Sequence, residues 1–387
     1  MKRINSIDFT RGLVMIIMAL DHVRDLLHVD SIAHNPTDLS STTLMVFLTR
    51  WITHLCAPIF VFLAGTSVFI SIKKDEDFSL SRKFLVKRGL WLILLEFTIV
   101  NFGVWFDLGF HTFLFQVIAA IGFGFIILSL LLKLSSRTIG IIGLTIIFCH
   151  NLLPLIPFSE GSIVKMVLFP FFGTSAYPIG TKTIFIMGYP PIPWLGIMLL
   201  GYSAGKLFEL ESVIRKTLFL KIGLGSLLMF IVLRFINVYG DPVLWTSQKT
   251  ALFTFLSFIN ITKYPPSLMF CLITLGIMFL ILSFAEQIEN RITNIISVYG
   301  KVPMFYYLIH WYILHPVMIL LMLLQGFHWQ DLDFASGTFG RPKGMTSGVD
   351  LWAIYLIWIS IVAMLYFPCV WYSQYKATHK KLWLRYL

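Results

Sequence analysis

The chain has 387 residues, of which 57% are hydrophobic and 13% are charged, and its formal net charge at pH 7 is +11. This balance excludes a soluble globular domain, because such a chain has too little polar surface to stay in solution. The composition instead predicts one integral-membrane domain over residues 1–387.

A membrane-spanning helix needs about 20 mostly apolar residues. Ten segments of the chain meet this requirement, so the sequence predicts an all-α, polytopic transmembrane bundle of about ten spans. In chain order, the predicted spans are roughly residues 9–28, 43–70, 86–105, 112–132, 138–157, 190–208, 216–237, 266–285, 302–324 and 350–373.

Lysine and arginine are concentrated near both termini and in alternate loops, such as residues 73–88 and 206–221. The positive-inside rule assigns these loops and both termini to the cytoplasm, which agrees with an even number of spans. Topology therefore explains the positive charge, and no nucleic-acid partner is expected.

Three loops on the opposite side are long, at about residues 158–189, 238–265 and 325–349. The first two contain aromatic residues, prolines and apolar stretches that are too short to cross a bilayer. Two interpretations are open: a cap over a cavity that opens to the outside, or helices that lie at the membrane surface.

The first span ends in "DHVRDLLH", residues 21–28, although ionisable groups are costly inside a bilayer and therefore mark candidate sites. Asp21, Arg24 (or Asp25) and His28 share one helix face, and His22 lies on another. An ion-paired cap at the membrane surface, with Arg24 paired to Asp21 or Asp25, would explain the charged residues. It explains His22 less well, because His22 lies deeper.

Two further spans carry polar groups at a similar predicted depth. Arg50 and His54 share a face of the second span, and His310 lies near the middle of the ninth span, one turn after Tyr306. This match in depth predicts a single polar pocket. The sequence contains no phosphate-binding loop, serine-hydrolase elbow or zinc-ligand array, and no metal is expected.

Several segments resemble the heparan-α-glucosaminide N-acetyltransferase catalytic-domain family. The most distinctive are the opening "RINSIDFTRGLVMIIMALDH", which contains "SIDFTRG", and the pattern GxxxxxxYxxH formed by Gly300, Tyr307 and His310. The likeness continues in "APIFVFLAGTSVFIS", "PWLGIMLLGYSAGKL", "KYPPSLMFCLITLG" and "YGKVPMFYYLIHW", so it covers nearly the whole chain.

The resemblance implies a membrane enzyme that takes an acetyl group from cytosolic acetyl-CoA and passes it to a sugar on the far side of the membrane. It also implies a histidine in or just after the first span, for which His34 is the nearest match. His22 and His54 stand where the animal enzymes have an asparagine and an aspartate.

Acyl transfer needs a base with a pKa near neutral, which histidine supplies. We therefore expect His22 and His54, followed by His310, to act as general base or acyl carrier. An aspartate such as Asp21 would orient the imidazole, and Arg50 or Arg24 would stabilise negative charge on the thioester oxygen. Direct transfer and an acetyl-histidine intermediate both remain open.

The first basic loop could also attract the phosphates of CoA, although topology alone is the better explanation of its charge. The candidate residues are Lys73, Lys74, Arg82, Lys83, Lys87 and Arg88.

We expect a bacterial inner-membrane acyltransferase that modifies a periplasmic glycan. Its expected partners are membrane lipid and a sugar or glycan acceptor, with a homodimer as one option. The alternative is a proton-coupled transporter or permease that uses the same polar groups, but the sequence shows no internal repeat to support it. A non-enzymatic scaffold is a third option, against which the intramembrane charges argue.

Overall fold

A computed structural model describes residues 4–72, 78–156, 162–379 and 381–386 of the chain. Helices dominate this part of the protein. In chain order they are α1 (Asn5–Leu27), α2 (Leu44–Ile52), α3 (Cys56–Ile72), α4 (Phe78–Leu95), α5 (Asn101–Trp105), α6 (Val117–Leu131), α7 (Ser136–Cys149), α8 (Ile163–Phe172), α9 (Pro191–Ala204), α10 (Ser212–Ile236), α11 (Ala251–Ile259), α12 (Leu268–Ala285), α13 (Arg291–Lys301), α14 (Pro303–Leu324) and α15 (Leu351–Thr378).

Six helical stretches of the described residues are long and apolar enough to cross a membrane. They are Leu44–Ile72, Ser136–Leu153, Ser212–Ile236, Leu268–Ala285, Pro303–Leu324 and Leu351–Thr378, and each overlaps a predicted span. Helix α1 has the length to cross as well, but its composition is less apolar because charged residues lie at both of its ends. The prediction of a helical membrane protein is thus confirmed, whereas the count of ten spans and the side of the termini remain predictions.

A small sheet adds to the predicted all-α architecture. Strand β1 (Thr112–Phe115) pairs in parallel with β3 (Thr183–Met187), which pairs antiparallel with β2 (Ser175–Ile179). The predicted span 112–132 therefore begins as a strand, and its helix starts only at α6. Hydropathy alone could not show this, because the residues of β1 are as apolar and aromatic as those of a membrane helix.

Helix α1 lies at the centre of the bundle, in contact with α3, α12, α13, α14 and α15. Its approach to α13 is unusually close. A Cβ atom added at Gly12 would lie 1.9 Å from the carbonyl oxygen of Ile296, and one added at Gly300 would lie 1.8 Å from that of Asp8. Small residues allow helix backbones to approach in this way, so the two glycines fix the position of α1.

We call the end of the bundle at which α1 begins the proximal end, and the end at which α1 terminates the distal end. At the distal end, hydrogen bonds connect segments that are far apart in sequence. Asn260 donates from Nδ2 to the carbonyl oxygen of Thr37 at 3.0 Å, and Trp51 donates from Nε1 to that of Ile259 at 2.9 Å. Residues 28–43, 238–267 and 325–350 therefore surround the end of α1.

A buried arginine ties the loop 325–350 to α1. Arg341 is 1% exposed, and it donates from Nη1 to the carbonyl oxygen of His28 and to the hydroxyl of Ser31, both at 2.7 Å. Its Nε also donates to the hydroxyl of Ser347 at 3.1 Å. The end of α1 is thus held from the loop side as well as by helix packing.

Candidate functional site

The distal half of α1 brings two of the predicted histidines together. His22 Nδ1 and His310 Nε2 are 2.6 Å apart, and the two rings are stacked with their centroids 4.9 Å apart. His310 is fully buried, whereas His22 is partly exposed. The distance is that of a hydrogen bond, so one of these two nitrogens must carry the shared proton.

The other nitrogen of His310 decides which one carries it. His310 Nδ1 lies 3.2 Å from the carbonyl oxygen of Tyr306, and a carbonyl oxygen can only accept. The Nδ1 atom of neutral His310 therefore carries a proton, and its Nε2 accepts from the Nδ1–H of His22. This assignment from the hydrogen-bond network leaves Nε2 of His22 without a proton and free to take one.

Aromatic residues of α14 hold the His22 ring in place. Trp311 stacks on it with a centroid distance of 4.2 Å, and Tyr307 meets it edge-on at 6.3 Å. Since the ring is also hydrogen-bonded to His310, both stacking and a hydrogen bond fix its orientation. A base held in this way is ready to act on a group placed near Nε2.

Asp21, next to His22, forms an ion pair through each of its two carboxylate oxygens. Its Oδ1 lies 2.8 Å from Nη2 of Arg24, and its Oδ2 lies 2.6 Å from Nη1 of Arg50. Arg24 also contacts Asp25 at 2.5 Å. Asp21 therefore links α1 to α2, while His310 is the hydrogen-bond partner that orients the imidazole.

His54 lies in a 3₁₀ turn between α2 and α3 and is buried. Its Nδ1 is 3.2 Å from the carbonyl oxygen of Arg50 and 3.1 Å from that of Trp51. These carbonyls place the proton of neutral His54 on Nδ1 and leave Nε2 as an acceptor. His54 shares the electrostatic surroundings of Arg50 and Lys263 but has no hydrogen bond to His22 among the described residues.

His34 has a different setting. It is exposed in the loop between α1 and α2, and its backbone nitrogen donates to the carbonyl oxygen of Asp30 at 3.0 Å. With Arg24 and Asp25 it lines a small surface cleft of about 50 Å³. The structure thus places His34 outside the stacked histidine pair.

Sequence reasoning missed Lys263, which is only 7% exposed. Its Nζ lies 5.0 Å from the centroid of the Tyr264 ring, and its charge acts on both Asp21 and His22. One sequence feature could have indicated this residue. It stands directly before "YPP", in a loop on the side of the membrane where the positive-inside rule expects few cations. Loop residues are usually exposed, so this signal alone does not place Lys263 in the site.

Two buried charged residues hold the loop that carries Lys263. Asp241 accepts from the backbone nitrogen and the hydroxyl of Thr262, at 2.9 and 2.8 Å, and from the hydroxyl of Ser267 at 2.6 Å. Arg234 donates to four backbone carbonyls of the same loop, those of Val243, Ser257, Phe258 and Asn260. Lys263 is therefore held by a rigid loop.

A second feature is a cavity of about 1210 Å³ that extends inward from the proximal end. Its inner part is mainly apolar and reaches Met18 and Tyr307. Six basic residues line it, and none of the described lining residues is acidic. The basic residues are Arg11, Lys83, Lys87, Arg88, Lys301 and Lys376.

The inner end of this cavity lies close to the histidine pair. Met18 precedes His22 by four residues on α1, which is about 6 Å along the helix axis. Tyr307 precedes His310 by three residues on α14 and lines the cavity, while its ring contacts His22. Along α1 and α14, the histidine pair therefore lies between the inner end of the proximal cavity and the loops of the distal end.

The predicted basic residues have different positions. Lys83, Lys87 and Arg88 line the cavity. Arg82 donates from Nε to the carbonyl oxygen of Ser129 at 3.0 Å, and it is not among the lining residues. Lys73 and Lys74 lie outside the described residues. Within the described part of the chain, no group of three or more His, Cys, Asp or Glu residues could hold a metal ion.

A family model described as heparan-alpha-glucosaminide N-acetyltransferase, catalytic, matches residues 3–234, which is more than half of the chain. The chain belongs to this family. Its membership of an acetyltransferase family and its six long apolar helices indicate an integral membrane protein. No curated protein matches the chain.

The match to the acetyltransferase family covers part of the site. It includes His22, Arg50 and His54 with the basic residues of α4, and it ends before Lys263 and His310. The partner of His22 in the stacked pair is thus contributed by a region that the family model does not match.

Proposed function

We propose that the protein is a transmembrane acetyltransferase that binds acetyl-CoA from the cytoplasm and acetylates an amino or hydroxyl group of a sugar or glycan on the other side of a bacterial inner membrane. The observation that carries this proposal is the position of the His22–His310 pair. It lies between the inner end of a basic cavity and a polar cluster at the opposite end of the bundle.

The proximal cavity fits the donor in charge and shape. CoA has phosphate groups at one end and a long, weakly polar arm that ends in the thioester. Lys83, Lys87, Lys301 and Lys376 would hold the phosphates, and the apolar channel towards Met18 would take the arm. A volume of about 1210 Å³ exceeds the roughly 300–1,000 Å³ of most small-molecule sites, as a donor of this size requires.

His22 would act as the general base in direct transfer. Its Nε2 takes the proton from the acceptor N–H or O–H while the acceptor atom attacks the thioester carbon. The new C–N or C–O bond forms, the C–S bond breaks, and protonated His22 gives its proton to the thiolate of CoA, which leaves as a thiol. His310 keeps the imidazole oriented and accepts the hydrogen bond that strengthens as His22 becomes charged.

The negative charge that develops on the thioester oxygen needs a nearby positive group. Lys263 and Arg50 are the cations that we propose for this role, because both act electrostatically on His22 and both are fixed. Asp21 holds Arg50, and the loop anchored by Asp241 holds Lys263. His54 would support the same pocket through its acceptor nitrogen.

The basic lining of the cavity also supports an orientation. Because cytoplasmic loops are enriched in Lys and Arg, we assign the proximal end and both termini to the cytoplasm, with about ten spans in one domain over residues 1–387. Helices α10 and α15 expose apolar side chains such as Leu228 and Phe367. These faces would contact membrane lipid or a second copy in a homodimer.

The test uses proteoliposomes with glucosamine enclosed and labelled acetyl-CoA added outside. Transfer of label to the enclosed amine by the wild-type protein, and its loss in His22→Ala, would support the proposal. Movement of glucosamine across the membrane without consumption of acetyl-CoA would contradict it and support a transporter.

A further inference from the structure

A π-helical turn, Glu96–Val100, lies between α4 and α5. Turns of this kind are rare and often occur at functional sites. Two hydrogen bonds hold this region against α14. The hydroxyl of Tyr312 donates to the carbonyl oxygen of Ile99 at 2.7 Å, and Nε2 of His315 donates to that of Val104 at 2.9 Å. The position of the π-helical turn is thus fixed relative to α14.

Glu96, the first residue of this turn, has no exposed surface. Its Oε2 accepts from the backbone nitrogen of Ala119, in the first turn of α6, at 2.9 Å. Its Oε1 is buried and has no hydrogen-bond partner among the described residues, and none of their charged side chains acts on the carboxyl group. A buried carboxylate without a cation is costly. The neutral acid fits this position better, with Oε2 as the carbonyl oxygen and Oε1 carrying a hydrogen that it can donate.

The group that Glu96 faces on α14 is the hydroxyl of Tyr307, on which it acts electrostatically. Tyr307 lines the inner end of the proximal cavity together with Ile118 of α6, and its ring contacts His22. No described residue accepts a hydrogen bond from the Tyr307 hydroxyl. If Oε1 of Glu96 donates to this hydroxyl, directly or through one water, the hydroxyl can donate in turn to a group in the cavity. Each hydrogen bond in such a chain strengthens the next.

We propose that Tyr307 is a further catalytic residue, which donates a hydrogen bond to the thioester oxygen, and that neutral Glu96 is a positioning residue that acts through Tyr307. The inference rests on the proposed function, because the thioester would lie at the inner end of the cavity. As the acceptor attacks, negative charge grows on this oxygen and the hydrogen bond from Tyr307 becomes stronger. Tyr307 and Glu96 keep their protons throughout, and His22 remains the base.

The first experiment measures steady-state transfer from labelled acetyl-CoA by full-length variants. Tyr307→Phe keeps the ring that contacts His22 but removes the hydroxyl. Its kcat should fall about 10²–10³-fold, as on loss of one oxyanion donor, with little change in KM. Glu96→Ala should lower kcat about two- to tenfold, the value of one hydrogen bond. Thr98→Ala, at an exposed position of the same turn, is the matched control and should leave kcat unchanged.

Two further comparisons show whether Glu96 acts through Tyr307. Glu96→Ala should cause no additional loss of kcat in the Tyr307→Phe protein, because residues that act as a unit are not additive. Glu96→Gln keeps one acceptor and one donor and should restore most of the transfer that Glu96→Ala loses. Equal losses from Glu96→Ala in both backgrounds, or a loss in Glu96→Gln as large as in Glu96→Ala, would overturn the inference.

Infrared spectroscopy tests the Glu96–Tyr307 pair without relying on transfer or on a folded Glu96→Ala protein. The difference spectrum between the wild type and Glu96→Gln near neutral pH should contain the carbonyl band of a protonated carboxylic acid, and Tyr307→Phe should shift this band. Absence of the band, or a band that Tyr307→Phe leaves unchanged, would also overturn the inference. If the band is present and shifts but the wild type does not consume acetyl-CoA, the pair stands and the proposed function is wrong.

Discussion

The two ends of the bundle differ in how their charged side chains are arranged. At the distal end, Asp21 lies between Arg24 and Arg50, and the surrounding loops are bonded to one another. At the proximal end, the described lining of the cavity has six cations and no carboxylate. A buried charge needs a fixed partner, whereas an excess of one sign beside water attracts a ligand of the other sign. The comparison supports the proposed roles of a fixed polar cluster beside the histidine pair and an anion-binding mouth of the cavity at the proximal end.

The largest expected effect is on the rate of acetyl transfer. His22→Ala removes the proposed base, and we expect kcat to fall by about 10²–10⁴-fold, the usual contribution of general base catalysis. His310→Ala leaves the base in place but removes the hydrogen bond that orients it, so kcat should fall by a smaller factor than in His22→Ala. Steady-state assays with labelled acetyl-CoA measure both effects.

His34→Ala sharpens this test, because the sequence also singled out His34 and the structure places it on the exposed surface. We expect its kcat to remain within a few-fold of the wild-type value. Loss of transfer in His34→Ala with normal transfer in His22→Ala would refute the assignment of the base.

The next largest effect should be on the free energy of unfolding and tests the ion pairs at the distal end. Asp21→Asn leaves the buried Arg24 and the partly buried Arg50 without their shared carboxylate, and breaking a buried ion pair costs about 3–5 kcal/mol. Asp25→Asn is the matched control, since its side chain is 41% exposed against 11% for Asp21 and exposed pairs contribute about 0–1 kcal/mol. Thermal unfolding in detergent should show the difference. Equal shifts for the two variants would contradict the proposed structural role of Asp21.

A third, smaller effect tests the packing that positions α1. Gly12→Ala would place a Cβ atom against the carbonyl oxygen of Ile296, and overpacking of this kind costs about 1–3 kcal/mol. Gly225→Ala on α10 meets no atom within 4 Å and should be neutral or slightly stabilising. Melting temperatures of the two variants provide the measurement, and a stable Gly12→Ala protein would show that α1 and α13 can move apart freely.

The smallest expected effect is on the KM for acetyl-CoA and tests the mouth of the proximal cavity. The double variant Lys83→Ala, Lys87→Ala should raise the KM for acetyl-CoA about three- to tenfold with little change in kcat, because both lysines are exposed and exposed charges each contribute about 1 kcal/mol or less. The effect should shrink as salt is added. Arg82→Ala is the control, since Arg82 binds the Ser129 carbonyl oxygen. A larger KM change in Arg82→Ala would contradict the cavity assignment.

The sequence predicted those parts of the molecule that follow from hydropathy and from spacing along one helix. It found six of the long apolar helices and the ionisable groups of α1, α2 and α14. It could not show that His22 meets His310, because 288 positions separate them and only the packing of α1 against α14 brings them together. For the same reason it missed Lys263 and the short sheet, which depend on contacts between distant loops and strands.

The most direct test of the proposed mechanism is the position of CoA in an experimental structure of the complex, for example by electron cryomicroscopy. We expect the nucleotide among Lys83, Lys87 and Lys376 and the thiol end next to Met18 and Tyr307, within reach of His22. CoA bound at the distal end, or with its thiol far from His22, would contradict it.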